Sequence, residues 1–221
     1  MNIPFPTDWQ RAVIFVAHPD DPEYGMAAAV SRWTNEGKSV MYVLASSGEA
    51  GIEGMAPEVC GPIREEEQRM AGREVGVDHV DFLGFPDSDL HNTPTLRAAI
   101  TSSVQTLRPD LVITMFRGAE WAPGAPNQRD HIEFGNAVVA AIEAMDERPR
   151  YLFESGGLAT HSVKVSPTDV ERAVQSLAQH AEYLSVLDPA TPVIEQAVNQ
   201  IDKVGVVSAA GRSIGFTVIE A

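Results

Sequence analysis

A single cysteine, Cys60, leaves the chain without any internal disulfide. That suits a reducing compartment, and the cytoplasm is the expected location. The N-terminal stretch "MNIPFPTDWQ" lacks the basic segment and apolar run of a secretory leader. No apolar run approaches the roughly 20 residues needed to span a bilayer, so no membrane span is expected. Basic residues are scarce: 16 Lys and Arg stand against 31 Asp and Glu, for a formal charge of −15. A scattered cation set under that field argues against nucleic acid as a partner. Neither G-x-G-x-x-G nor G-x-x-x-x-G-K-[ST] occurs, which removes the usual phosphate cradles and disfavours a nucleotide-binding domain.

What is present is enough for a sizeable core: 221 residues, 44% of them hydrophobic. Apolar segments at 11–17, 39–45, 79–85, 110–116 and 150–155 read as strands. Between them, helical patterns run over 21–37, 63–77, 93–109 and 130–145. In the first, Met26, Ala29, Val30 and Trp33 share the inward face; in the second, Ile63, Met70, Val75 and Val77 do. An alternating stretch at 161–166 reads as an edge strand, followed by a long helix over 168–187, a helical segment near 191–203 and a last strand near 214–220. Alternating strands and helices predict an α/β fold with a mainly parallel sheet and helices on both faces. One domain over 1–221 is expected, with a core at 11–155 and a C-terminal strand and helix extension at 156–221.

Ligands of open parallel sheets sit beyond the carboxyl ends of the strands. Here those ends carry "HPDD", "SSGEAG", "FPDSD" and "RGAEWAPGAPNQRDH", which hold most of the unusual polar residues. His18 and Asp21 lie three residues apart across a strand-to-helix turn, and His131 opens a later helix on the same side. Two imidazoles and a carboxylate suit a divalent ion such as zinc and leave room for water. Asp20, beside Asp21, could then accept a proton from that water. Acids at a helix start also favour the helix dipole, and a histidine after a strand is an ordinary structural residue. On residue chemistry alone the two readings stand level.

The blocks "VAHPDDPEYG", "SSGEAG", "REEEQRMAGREVGV" and "RDH" resemble the PIG-L/LmbE-like family of zinc-dependent N-deacetylases, in order over residues 11–145. The stretch 160–187 resembles the C-terminal part of some bacterial members. The resemblance implies a Rossmann-like fold and hydrolysis of an N-acyl amide on an amino sugar or a sugar-linked thiol compound. It assigns His18, Asp21 and His131 as metal ligands and Asp20 as general base. It also suggests substrate contacts at Arg64 and Asp87.

One departure matters. The family commonly has H-x-D-H where this chain has "QRDH", so Gln128 replaces a histidine that helps stabilise an oxyanion. Gln128 can donate a neutral hydrogen bond there but cannot act as an acid. Asp130 matches the carboxylate of that motif and, without the histidine, caps the helix or orients another group. His161 is a candidate for the missing acid, with plain hydrogen bonding at a strand end as its alternative. Trp121 could pack on a sugar face or serve as a lid.

The leading expectation is a zinc-dependent hydrolase that removes an acyl group, acetyl in the first instance, from a small-molecule N-acyl substrate. An amidase acting on a thiol-sugar conjugate is the alternative enzyme. A non-catalytic metal- or sugar-binding relative is the alternative of another class, kept open by Gln128. The long loops suggest a homo-oligomer in which subunit contacts help close the pocket.

Overall fold

The computed structural model describes residues 3–220. Its elements run β1 (Ile3–Pro4), β2 (Arg11–Val16), α1 (Asp21–Gly25), α2 (Ala27–Asn35), β3 (Ser39–Leu44), α3 (Pro57–Glu74), β4 (His79–Phe82), α4 (Pro94–Leu107) and β5 (Leu111–Thr114). There follow β6 (Glu120–Ala122), β7 (Ala125–Pro126), α5 (Arg129–Glu143), β8 (Tyr151–Ser155), β9 (His161–Val165), α6 (Pro167–Ala178), α7 (Ala181–Leu187), α8 (Val193–Ile201), β10 (Val206–Ser208) and β11 (Gly211–Val218).

The main sheet has the order β1-β9-β11-β8-β5-β2-β3-β4, with β10 beside β11. Strands β4, β3, β2, β5 and β8 are parallel, while β11 inserts antiparallel between β8 and β9. The C-terminal strands therefore extend the same sheet. Helices α4 and α5 pack together, and α2, α3, α6 and α8 form the other layer. β5 is buried along its whole length and β2 beyond Arg11, as strands covered on both faces must be. Phe5, Trp9, Trp33, Phe153 and Phe216 form an aromatic cluster, with Trp33 edge-on to Trp9 at 5.4 Å.

Four local expectations need correction. The helix over 21–37 breaks at Met26, where φ is −128°. The helix over 168–187 breaks at His180, whose imidazole turns inward onto Glu23. The strand at 161–166 is not at the sheet edge, because the short β1 pairs with its outer side. Helix α3 starts at Pro57 instead of Ile63 and carries Pro62 inside it. Pro62 falls close enough to the N-terminus that only one backbone hydrogen bond, to Glu58, is forgone.

The inward face of α3 also differs. Ile63 and Met70 are half-buried, while Arg64, Glu67, Gln68, Ala71 and Gly72 are buried. Those positions follow helical spacing. Its polar members each have a polar partner: Arg64 the Gly48 and Pro19 carbonyls, Gln68 the Asp20 N–H and Glu23, and Glu67 the Glu182 N–H.

Candidate active site

The parallel order β5-β2-β3-β4 places the loops after these strands side by side. A cavity of about 880 Å³ opens over them. His18, Asp21 and His131 lie on its wall, and one ligand atom from each falls within 4.8 Å of the others. His18 leaves the end of β2, Asp21 starts α1, and His131 sits in the first turn of α5.

The surroundings fix the tautomers of both imidazoles. His18 Nε2 faces Asp87 Oδ1 at 3.2 Å and Asp130 Oδ2 at 3.3 Å, which leaves Nδ1 toward Asp21 Oδ2 at 3.6 Å. His131 Nδ1 donates to Asn127 Oδ1 at 3.2 Å. His131 Nε2 is buried and makes no hydrogen bond among the described residues, although Asp21 Oδ1 lies 3.2 Å away. An orphaned imidazole nitrogen beside a carboxylate and a second free imidazole nitrogen fits a divalent metal ion. His18, Asp87 and Asp130 also lie close enough to share an ion. Their carboxylates already accept main-chain hydrogens from Ala50 and Leu90, so they act better as an outer layer that orients His18.

The electrostatics point the same way. Burial disfavours an imidazolium at His18, yet Asp130, Asp87 and Asp21 outweigh it and raise its pKa, a field that would equally favour a metal cation in place of the second ring proton. Burial would raise Asp21, but His131 and His18 hold it below the usual carboxylate range. The floor is thus arranged to favour positive charge. Asp20 behaves oppositely: its own burial lifts it to about 6, against the pull of Arg64. A carboxyl near that value suits proton exchange close to neutral pH. Its backbone is unusual too, at φ 84° and ψ −24°. That left-handed conformation is uncommon for a residue with a side chain.

Arg64 lies beneath Asp20. Its Nη1 donates to the Gly48 carbonyl at 3.0 Å and its Nη2 to the Pro19 carbonyl at 2.8 Å, and Nη2 is 3.6 Å from Asp20 Oδ2. Its guanidinium stacks 4.3 Å over the Tyr183 ring. The close passage explains Gly48, where φ is +64° and a Cβ would strike the guanidinium.

The profile of the family described as PIG-L: GlcNAc-PI de-N-acetylase matches residues 13–142, more than half of the chain. The chain belongs to the PIG-L family. A probable N-acetyl-alpha-D-glucosaminyl L-malate deacetylase 2 from Bacillus anthracis is 30% identical over 174 residues, spanning 75% of this chain and 74% of that protein. The match spans 65% of its namesakes from Bacillus cereus and Bacillus subtilis. N,N'-diacetylchitobiose deacetylase from Pyrococcus horikoshii superposes with a TM-score of 0.74 at 18% identity, over 96% of this chain and 84% of that one. GalB, a 4-carboxy-2-hydroxymuconate hydratase from Pseudomonas putida KT2440, superposes with 0.71 at 16% identity, over 96% and 97%. At such identities these two structures speak for the shared fold alone.

In this PIG-L protein His18, Asp20, Asp21, Arg64, Asp87, Gln128 and His131 all contribute to one cavity. Asp130 does not line it; it stands behind His18, 5% exposed. Arg64 is 3% exposed and spends both terminal nitrogens on main-chain carbonyls. Gln128 is exposed at the cavity and its side chain caps nothing. Trp121 reaches the cavity, 5.8 Å edge-on from His131. His161 packs edge-on against Phe153 and bonds Thr160 Oγ1, away from the cavity wall.

Residues not foreseen from the sequence include Asn127, Tyr24 and Tyr183. Asn127 precedes His131 by one helical turn, a spacing that could have drawn notice. Tyr24 follows Asp21 by three residues on α1, the same face. Tyr183 comes from α7, and nothing local to it signals the site. Burial, then the charge of Asp20, raises Tyr183 to about 12 and Tyr24 further, so both phenols keep their protons.

Proposed function

We propose that this protein is a metal-dependent N-deacetylase: it hydrolyses an acyl group, acetyl in the first instance, from the amide nitrogen of an amino sugar or a sugar-linked small molecule. The observation that carries this reading is the orphaned Nε2 of His131 set against Asp21 and His18, with Asp20 alongside at a raised pKa. The Bacillus relative, named for deacetylation of a glucosaminyl malate, supports the sugar-linked amide as substrate. The hydratase with the same fold is the reason why the site, and not the fold, must carry the assignment.

His18, Asp21 and His131 would hold zinc, the ion best suited to two imidazoles and one carboxylate. When bound, zinc supplies a positive charge that acidifies water and polarises a carbonyl. The remaining work falls to the protein. Asp20 accepts the proton of the attacking water and returns it to the departing amine, a role that its burial suits by raising its pKa above the usual carboxylate range. Gln128, exposed at the cavity with a side chain that does not cap α5, donates to the carbonyl oxygen as charge develops there. Tyr183 and Tyr24 stay protonated and add further donors. Asp87, shared between His18 and the cavity wall, is placed to contact sugar hydroxyls. Arg64 acts through Asp20 and the two loops it joins, with direct substrate contact a lesser role.

An amidase acting on a bulkier thiol-sugar conjugate would use the same residues, and a cavity of about 880 Å³ has room for either. The test is release of free amine from zinc-loaded protein offered a panel of N-acetylglucosaminyl compounds and their thiol conjugates. Turnover that Asp20→Asn abolishes supports the proposal, and the better substrate decides between the two forms. No amine from any of them refutes it and favours a binding protein.

A further inference from the structure

Behind Asp20 lies a buried polar chain that the proposed chemistry does not use. The Asp20 backbone N–H donates to Gln68 Oε1 at 2.8 Å. Gln68 Nε2 in turn faces both carboxylate oxygens of Glu23, each at 3.3 Å. Glu23 Oε2 meets His180 Nε2 at 3.3 Å, and Glu23 Oε1 is 3.2 Å from Ser176 Oγ. Glu23, Gln68, Ser176 and His180 are all fully buried. The chain joins α1, α3 and α6 to the break before α7.

Burying an acid, an amide and an imidazole in contact is costly unless each is satisfied. The amide orientation of Gln68 is not free in this setting. Glu23, as a carboxylate, only accepts, so it draws the NH₂ of Gln68 and turns the carbonyl toward Asp20. That carbonyl accepts the one main-chain hydrogen of the residue that adopts φ 84°. The Asp20 carbonyl is separately held by the backbone of Glu23 and Tyr24 at the start of α1. Both sides of the strained residue are therefore fixed from α1 and α3.

We propose that Gln68, oriented by Glu23 and His180, is a positioning residue that holds Asp20 in its left-handed conformation and so aims the carboxylate into the cavity. The proposal rests on the reading of Asp20 as the base. Gln68 touches neither substrate nor metal in this scheme; it acts only through Asp20.

The experiment has a structural arm and a kinetic arm. A crystal structure of Gln68→Leu is expected to show Asp20 at negative φ with its carboxylate displaced. Asp20 left within about 20° of its present φ overturns the proposal. In turnover of an N-acetyl sugar, Gln68→Glu sets two carboxylates against each other and should lower kcat about 10- to 100-fold, with KM and metal content unchanged. The exchanged pair Glu23→Gln/Gln68→Glu restores the donor and acceptor pattern and should recover most of that loss. If Gln68→Leu does not fold, the exchanged pair still decides. A lower melting temperature with kcat unchanged, or an exchanged pair no better than Gln68→Glu, overturns the idea. Asp20→Asn at full turnover would sink the base reading instead, and the structural arm would still judge the positioning.

Discussion

Asn127 offers a quantitative test of how the metal ligands are held. Its Oδ1 fixes the His131 ring at 3.2 Å, and its Nδ2 donates to the carbonyls of Phe116 and Gly118, both at 2.9 Å. Asn127→Ala removes the group that keeps the proton on Nδ1 and Nε2 free. It also releases the loop that brings Trp121 over the site. Loss of such an outer partner lowers metal affinity about 10- to 100-fold, which is about 1.4–2.8 kcal/mol. Two lost hydrogen bonds to carbonyls should cost about 1–3 kcal/mol of folding stability besides. The assay is zinc competition against a chromophoric chelator at fixed pH, on protein whose circular dichroism matches the parent. A folded variant with unchanged zinc affinity would refute the claim that Asn127 prepares His131 as a ligand.

Three further outcomes follow from the geometry. Gly48→Ala puts a Cβ into the Arg64 guanidinium at a positive φ, and should lower stability by about 2 kcal/mol or more in urea titration; an unchanged midpoint would contradict the packing described. Asp169 accepts hydrogen bonds from Ser166, Ser31 and Asn35, which overcome its burial and hold its pKa below the unfolded value of about 3.9. The ionised group therefore stabilises the fold above that value, and the contribution fades as pH falls through the native pKa. Asp169→Asn should be less stable at neutral pH and show less acid sensitivity between about pH 5 and pH 2; identical acid profiles would refute the assignment. Trp121→Ala, which strips an apolar face from the cavity, should raise KM several-fold with little effect on kcat, and an unaltered KM would remove Trp121 from the substrate.

Much of the fold was legible because its central strands are buried on both faces and read as unbroken apolar runs, "AVIFV" being the plainest. The strand-end loops followed from the parallel order, and with them the place where His18, Asp21 and His131 meet. The polar stripe of α3 is not legible in an apolar pattern, because Arg64, Glu67 and Gln68 are inward for reasons of charge and hydrogen bonding. The break at His180 was hidden for a similar reason. His180 interrupts a good helical pattern so that its ring can reach Glu23, 157 residues away in sequence. Asp130, matched to the family's motif by resemblance, has its carboxylate on His18, which is the orienting alternative that the sequence left beside helix capping. Local pattern reports burial and periodicity; it does not report which distant partner a buried polar group has found.

The most direct measurement is the metal content and binding isotherm of the purified chain after chelation and reloading with zinc. One equivalent per chain, lost in His131→Ala and in Asp21→Ala while both variants keep their fold, is the predicted result. A parent protein that takes up no ion, or variants that bind as tightly as the parent, would contradict the proposed centre and the hydrolysis built on it.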